Sequence, residues 1–217
     1  MSAFDDDYRK KAEKIAETLQ EYFREKEGWH VAKKTKDFTI SYRASKEFDG
    51  YLYKGEALLN APPKAVFDYV EPLPDGPRAK WDKNMKKIEI CKWFTKDLRI
   101  NRACTASACM GLISPRDFVD LILTKETDEY YSTNAISIDY EGCPPDKKFV
   151  RGWNWPCGMI CCKIPGEPNK CKLVSLIQPS IGGMLPRTLV DSAIPGSMTE
   201  LFTQLQNGLK EDGKWVS

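Results

Sequence analysis

Cysteine and histidine are the residues of this sequence best suited to nucleophilic or metal chemistry, and their placement favours neither. Eight cysteines are present, of which Cys157, Cys161 and Cys162 lie closest together, but this spacing is not that of a zinc ribbon. A serine or cysteine nucleophile would need His30 as its base, because His30 is the only histidine. We therefore expect inert thiols, a surface histidine, and no metal or other cofactor.

A second feature is an apolar loop that leads into the clearest strand pattern of the chain. Residues 110–113 are apolar or small, and Ser114-Pro115 then marks a turn before a run of β-branched and aromatic residues at 118–123. Such a loop can contact a core, a ligand or a membrane. The residues alone leave these three possibilities open.

Composition excludes several classes of protein. The 33 Lys and Arg nearly balance the 31 Asp and Glu, so the chain lacks the overall basic charge of a nucleic-acid-binding protein. No run approaches the roughly 18 apolar residues of a membrane span, and the charged start of the sequence lacks the apolar region of a secretion signal. We therefore expect a soluble, cytoplasmic protein that binds no nucleic acid and keeps its cysteines reduced.

Helical spacing marks both ends of the sequence. Near the start, acidic residues precede apolar residues that recur on one face, which predicts an amphipathic helix ending near residue 28. Residues 185–209 show the same periodicity. Pro195-Gly196 interrupts this second pattern, so either one kinked helix or two successive helices would fit.

Strand patterns fill the region between these ends. Three runs, at 29–34, 38–42 and 51–59, are followed by a short helix at 64–69 and a turn at 78–82. Six further runs lie at 86–94, 99–106, 117–125, 130–138, 149–164 and 172–178. No long helix separates them, which favours antiparallel pairing. The order predicts an α+β fold, with a curved sheet of about nine strands, a ligand cavity and a single domain over 1–217.

Several motifs resemble those of the START lipid-transfer domains. They are Arg78-x-x-Trp81-Asp82, ISPRDFVD at 113–120, FVRG at 149–152, WPCG at 155–158 and Leu185-Pro186. The resemblance covers nearly the whole chain and is strongest to the small free-standing cytosolic members that carry sterols, bile acids or related lipids. It implies a helix-grip fold: the curved antiparallel sheet wraps around the long C-terminal helix, with an N-terminal helix, two short helices and an internal lipid tunnel.

The resemblance also places two gate loops, at 107–114 and 180–186. Both combine apolar side chains that could enter a membrane interface with glycines that allow movement. The alternative is that these side chains only close the end of the tunnel by packing. The candidate gate residues are Met110, Leu112, Ile113, Ile181, Gly182, Gly183, Met184 and Leu185.

For the ligand itself, the resemblance implies positions on two strands. Some cholesterol-selective members carry an acid and an arginine in the tunnel, and the corresponding residues here are Ala103 and Ile122, so that charged pair is missing. Strand alternation taken alone would instead turn Arg102 toward the ligand. The match to the family motifs turns Ala103 inward, and this is the orientation that we expect. Arg78 and Asp82 match positions used near the polar end of a ligand in other members and are predicted ligand residues, although a purely structural Arg78–Asp82 pair fits equally well. The remaining predicted ligand-contacting residues are Asn101, Thr105, Asp120, Thr124, Met198, Leu201, Phe202 and Leu205.

Two classes of function remain from the sequence. The first is a monomeric, non-enzymatic carrier that holds one sterol, bile acid or related lipid and touches membranes transiently; a phosphatidylcholine-type ligand is its variant. The second is a helix-grip enzyme in which Asp120 or Asp82 acts as a general base. We favour the carrier, and the sequence does not name its lipid.

Overall fold

The computed structural model describes residues 3–216, so the first two residues and the last one of the predicted 1–217 domain lie outside the described part. The helices are α1 (Ala3–Arg24), α2 (Pro63–Val70), α3 (Arg78–Trp81) and α4 (Arg187–Glu211), with a 3-10 turn at Cys109–Gly111. The strands are β1 (His30–Lys34), β2 (Phe38–Ala44), β3 (Tyr51–Leu59), β4 (Met85–Thr95), β5 (Leu98–Thr105), β6 (Arg116–Glu126), β7 (Tyr130–Ser137), β8 (Val150–Arg151), β9 (Trp153–Asn154), β10 (Cys157–Ile164), β11 (Glu167–Ile177) and β12 (Pro179–Ser180).

Nine of these strands form one antiparallel sheet, as the sequence predicts. Their order is β1-β2-β3-β11-β10-β7-β6-β5-β4, and β8 adds a short parallel pair beside β6. The predicted single strand at 149–164 is wrong, because the chain forms β8, β9 and β10 there and β9 leaves the sheet to pair with β12. Gly152 marks the first break: a Cβ atom at this position would lie 2.4 Å from the ring of Phe118. Pro156 follows β9, where it cannot donate a ladder hydrogen bond.

Helix α1 covers the outer face of the sheet. Its apolar stripe, which includes Ala16 and Leu19, is buried against residues of β5, β6, β7, β10 and β11. An ion pair between Arg9 and Asp97, at 2.7 Å, ties the helix to the turn between β4 and β5. Because both faces of the sheet are covered, apolar content could not distinguish the inner face from the outer one.

Helix α4 packs against the inner face and is continuous through Pro195, so of the two sequence alternatives the single helix is correct. Its second half is anchored in the core, where the rings of Phe202 and Phe38 pack at a tilt with their centroids 5.6 Å apart. Gly55 of β3 allows this close approach, since a Cβ atom there would lie 2.5 Å from the Phe202 ring. Within residues 3–216, no helix combines the length and the apolar content needed to cross a bilayer.

Candidate functional site

An inner cavity of about 220 Å³ lies on the inner face of the sheet, beside β5, β6, β7 and β10. Six of the predicted ligand residues line it, and they come from α3, β5 and β6: Arg78, Asn101, Ala103, Thr105, Asp120 and Ile122. Residues that the sequence analysis missed complete the wall, including Phe118, Thr133, Ala135, Asn154, Cys157 and Met159. Thr133 and Ala135 of β7 lie opposite Thr124 and Ile122 of β6, so strand alternation extended to β7 predicts that they share the same face.

An outer cavity of about 260 Å³ adjoins the first, because both are lined by Thr105, Phe118 and Asn154. The outer cavity reaches both predicted gate loops and the first turns of α4. Its further lining residues are Asn84, Ala106, Ala108, Ile113, Arg116, Pro179, Ile181, Val190, Ala193, Ile194 and Ser197. A third hollow of about 190 Å³, on the other side of loop 180–186, is lined in part by Leu185, Gly182 and Gly183. The cavities therefore run from the sheet to the gate loops.

The register of β5 and β6 resolves the conflict over Arg102. Ala103 faces Phe118 across the strand pair and lines the inner cavity, whereas Arg102 points to the opposite face, where its Nε donates to Asp117 Oδ2 at 2.9 Å. Ile122 also lines the cavity. Both positions that carry charge in the acid–arginine cholesterol carriers thus present uncharged side chains to the cavity here.

Asp120 is a buried carboxyl group in the wall of the inner cavity. Ser137 Oγ donates to Asp120 Oδ1 at 2.7 Å, and Asn154 Nδ2 donates to Asp120 Oδ2 at 2.9 Å. Burial raises the pKa of Asp120 to about 6, although these two hydrogen bonds oppose the shift. Asn154 belongs to β9, whose partner β12 leads into loop 180–186, so this network connects the cavity wall to the gate.

Arg78 lines the cavity and is also part of a structural pair. Its Nε donates to Asp82 Oδ2 at 3.1 Å, and its Nη1 donates to the Val70 carbonyl at 2.9 Å. Asp82 is buried but does not line the cavity. Its Oδ1 accepts a hydrogen bond from the backbone N–H of Asn84 at 3.2 Å. Thr124 shares the face of Ile122 on β6 but lies beyond the cavity wall.

The four predicted residues of α4 occupy the core rather than the cavity wall. Met198, Phe202 and Leu205 are buried in the main cluster, and Leu201 packs against it. The α4 residues that line the outer cavity lie nearer its N-terminus: Val190, Ala193, Ile194 and Ser197. Helical periodicity identifies the face of a helix but not the position along it where the core ends and a cavity begins.

A fully buried arginine, which the sequence analysis missed, lies two residues before Asn101 on β5. It is at the end of the inner cavity farther from the predicted gate loops, called the closed end below. Arg99 shares the inner face of β5 with Asn101, and its Nη1 lies 2.9 Å from Glu71 Oε1. Its guanidinium also stacks on Trp93, 5.2 Å from the ring centroid. Burial lowers the pKa of Arg99, and the charge of Glu71 opposes this shift. The only sequence signal was an arginine in a strand whose neighbours alternate toward the core.

The gate loops carry the most exposed apolar side chains near the cavities. Met110 and Met184 are fully exposed and Leu112 is 64 % exposed, whereas Ile113 is buried and lines the outer cavity. Loop 107–114 holds Met110 in the left-handed region, with φ of 55°, which is costly for a non-glycine residue. In loop 180–186, Gly182 and Gly183 supply the positive φ values.

Arg116 joins the two gate loops. Its Nε donates to the Ile181 carbonyl at 3.0 Å, its Nη2 donates to the Gly182 carbonyl at 3.3 Å, and its Nη1 donates to the Ser114 carbonyl. The residue is only 4 % exposed, and no carboxylate in the described part of the chain forms an ion pair with it. Burial accordingly lowers the pKa of Arg116. Main-chain carbonyls alone therefore hold this buried charge between the loops.

Comparisons with known proteins agree with this architecture. The family model described as "START domain" matches residues 9–214. StAR-related lipid transfer protein 5 of Bos taurus is 43 % identical over 201 residues, covering 92 % of this chain and 94 % of that protein, and human StAR-related lipid transfer protein 4 is 36 % identical, covering 91 % and 95 %. The solved structure of human StAR-related lipid transfer protein 5 superposes with a TM-score of 0.91 at 39 % identity, covering 95 % of this chain and 98 % of that one. The curved sheet and the C-terminal helix that closes it are thus those of a START domain, and the chain belongs to the START family.

Proposed function

We propose that this protein is a lipid carrier that holds one sterol, bile acid or related steroid-like lipid and exchanges it with membranes through the two gate loops. The observation that carries the proposal is the adjacency of two cavities between the sheet and the loops. Two adjoining cavities lead from the buried inner face of the sheet to loops whose tips expose Met110 and Met184. The relatives named above are lipid transfer proteins, which supports the same activity here.

Cavity size favours a single compact ligand that uses both cavities. Ligand sites have volumes of about 300–1,000 Å³, and each cavity is smaller than that, at about 220 and 260 Å³. Phe118 lines both cavities, so its side chain lies at the boundary that such a ligand would cross. A two-chain phospholipid would need a larger rearrangement of the cavity walls, which makes it the second choice among lipids.

Enclosure explains the need for a gate. Burial of several hundred Å² of lipid surface, at about 25 cal/mol per Å², gives on the order of 10 kcal/mol. A lipid held so firmly leaves only when the wall opens, and the wall toward solvent consists of the loops that Arg116 clasps. Contact of Met110, Leu112 and Met184 with a bilayer interface would draw the loops apart. In this account the protein is a monomeric cytoplasmic carrier that consists of one lipid-binding domain, and its cavity catalyses no reaction.

The proposal is tested by measuring binding and transfer together. A fluorescent sterol and a fluorescent bile acid are titrated into the protein, and the better ligand is followed from donor to acceptor liposomes. We expect saturation at one ligand per chain and transfer that rises with protein concentration. Absence of binding by both probes would overturn the steroid-carrier proposal. Turnover of the bound probe, abolished in Asp120→Asn, would favour the enzyme instead.

A further inference from the structure

The side chain of Asn101 presents an unsatisfied acceptor at the inner cavity. The residue is 1 % exposed, and its Nδ2 donates to the Pro72 carbonyl at 2.6 Å. A carbonyl can only accept, so this bond fixes which end of the amide is the donor and leaves Oδ1 free. Among the residues described, none donates to Asn101 Oδ1, although the atom is buried. A buried acceptor of this kind calls for a donor from elsewhere.

Asp120 places a second acceptor next to the first. It stands directly opposite Asn101 in the β5–β6 register, so both side chains project on the same face, and both line the inner cavity. Directly opposed Cβ atoms in such a pair are about 4.5–5.5 Å apart. Ser137 and Asn154 supply one donor to each Asp120 oxygen, and each oxygen retains a further lone pair.

The chemistry of this acceptor pair restricts what it can bind. A hydroxyl group can donate to one oxygen and lies within reach of the other. A ketone or an ester carbonyl has no proton to donate, and it would leave Asn101 Oδ1 unpaired. A carboxylate or phosphate would also meet the acceptor oxygens of Asp120. Discrimination against the group that cannot satisfy a buried polar atom is the strongest form of specificity that a small site achieves.

We propose that Asn101 Oδ1 and the Asp120 carboxyl group form the polar subsite of the cavity and that they select lipids carrying a ring or terminal hydroxyl group. This inference rests on the proposed carrier function and names the class of lipid that such a carrier would prefer. Ala103 and Ile122, the neighbours on the same face, offer no hydrogen-bonding side chain, and the Thr105 hydroxyl is already bonded to the main chain of Arg116.

The test uses ligand pairs that differ in the hydroxyl group. Cholesterol is compared with cholest-4-en-3-one, and chenodeoxycholate is compared with 5β-cholanic acid, each by equilibrium binding to the unmodified protein. We expect the hydroxylated member of whichever pair binds to have an affinity at least about tenfold higher. Equal affinities of the two members would overturn the subsite while leaving the carrier function intact. Failure of all four to bind would instead overturn the carrier proposal for steroids, and the subsite with it.

Variants then assign the preference to the two side chains. Asn101→Leu should reduce the difference within the pair to below about threefold, mainly by weakening the hydroxylated ligand. Asp120→Asn introduces a donor and should narrow or reverse the preference toward the ketone. Thr124→Val, on the same face of β6 but outside the cavity wall, is the control and should keep the full preference. If Asn101→Leu retains the preference, the subsite is wrong; if this variant does not fold, the Asp120→Asn result and the ligand pairs decide.

Discussion

The two ends of the cavity system are held by arginines in opposite ways. At the closed end, Arg99 is paired with the carboxylate of Glu71, and Asn101 and Arg78 bond the neighbouring main chain at Pro72 and Val70. At the gate, Arg116 is bonded only to main-chain carbonyls of two loops.

This difference separates stability from exchange. A buried pair of charges is costly to break, because the remaining charge has no water to solvate it. Carbonyl bonds within exposed loops can be replaced by water when loops move, so the proposed gate would open at lower cost than the Arg99–Glu71 pair. We therefore expect changes at the closed end to lower the free energy of unfolding and changes at the gate to alter the rate of lipid exchange.

The largest effect is expected at the closed end. Glu71→Gln leaves the Arg99 charge buried without a counter-charge and should lower the free energy of unfolding by about 3 kcal/mol, measured by urea denaturation. The control is Asp68→Asn, which removes the exposed ion pair with Lys64 and should cost less than about 0.5 kcal/mol. An equal loss of unfolding free energy in Glu71→Gln and Asp68→Asn would contradict the claim that the Arg99–Glu71 pair stabilises the closed end.

Between the two ends, the buried carboxyl group of Asp120 should make the free energy of unfolding depend on pH. Burial raises the pKa of Asp120 to about 6, so between about pH 4 and pH 6 the folded protein holds a proton that the unfolded chain has lost. The stability of the wild type relative to Asp120→Asn should therefore fall as pH rises from about 4 to about 6, by about 2–3 kcal/mol, and stay constant above. Denaturation of both proteins across this range gives the difference curve; a flat curve would contradict the burial of this carboxyl group.

At the gate, Arg116→Lys should change kinetics more than stability. A lysine keeps the charge but cannot span three carbonyls, so the two loops lose their common clasp. Dissociation of a bound fluorescent sterol, followed by stopped flow, should become about tenfold faster, while the free energy of unfolding falls by about 1 kcal/mol. Arg9→Lys, at an ion pair on the outer face, should leave the dissociation rate unchanged. An unchanged dissociation rate of the sterol in Arg116→Lys would contradict the proposal that Arg116 couples the two loops.

The smallest predicted effect concerns membrane contact. Leu112→Asp should slow lipid transfer between liposomes by about fivefold, while affinity in solution stays within about twofold, because the side chain lies outside both cavities. Leu58→Asp, at a similarly exposed leucine on β3, is the matched control and should transfer normally. A parallel loss of transfer and affinity in Leu112→Asp would assign the residue to packing rather than to the gate.

Motif and strand alternation predicted the inner cavity better than the gate. Once one motif fixes the register, the period of two places Asn101, Ala103, Asp120 and Ile122 on one face, and the structure shows them lining the same cavity. The carbonyl bonds of Arg116 could not be predicted, because they depend on loop backbone with positive φ values rather than on side-chain pattern.

Two further differences between the sequence predictions and the structure involve close packing between distant parts of the chain. At Gly152, where the predicted strand breaks, the ring of Phe118 lies too close for a side chain, and this neighbour from another strand is not evident from local sequence. Likewise, the end of the core along α4 depends on the contact of Phe202 with Gly55, about 150 residues away in the chain. Local propensity describes elements well, whereas these contacts depend on residues that only the fold brings together.

Native mass spectrometry of the protein, purified without detergent from sterol-containing cells, tests the carrier claim most directly. The account predicts a complex of one chain with one hydroxylated steroid-like lipid, which is recovered chemically unchanged on extraction. Recovery of only the bare chain, or of a bound molecule chemically converted by the protein, would contradict it.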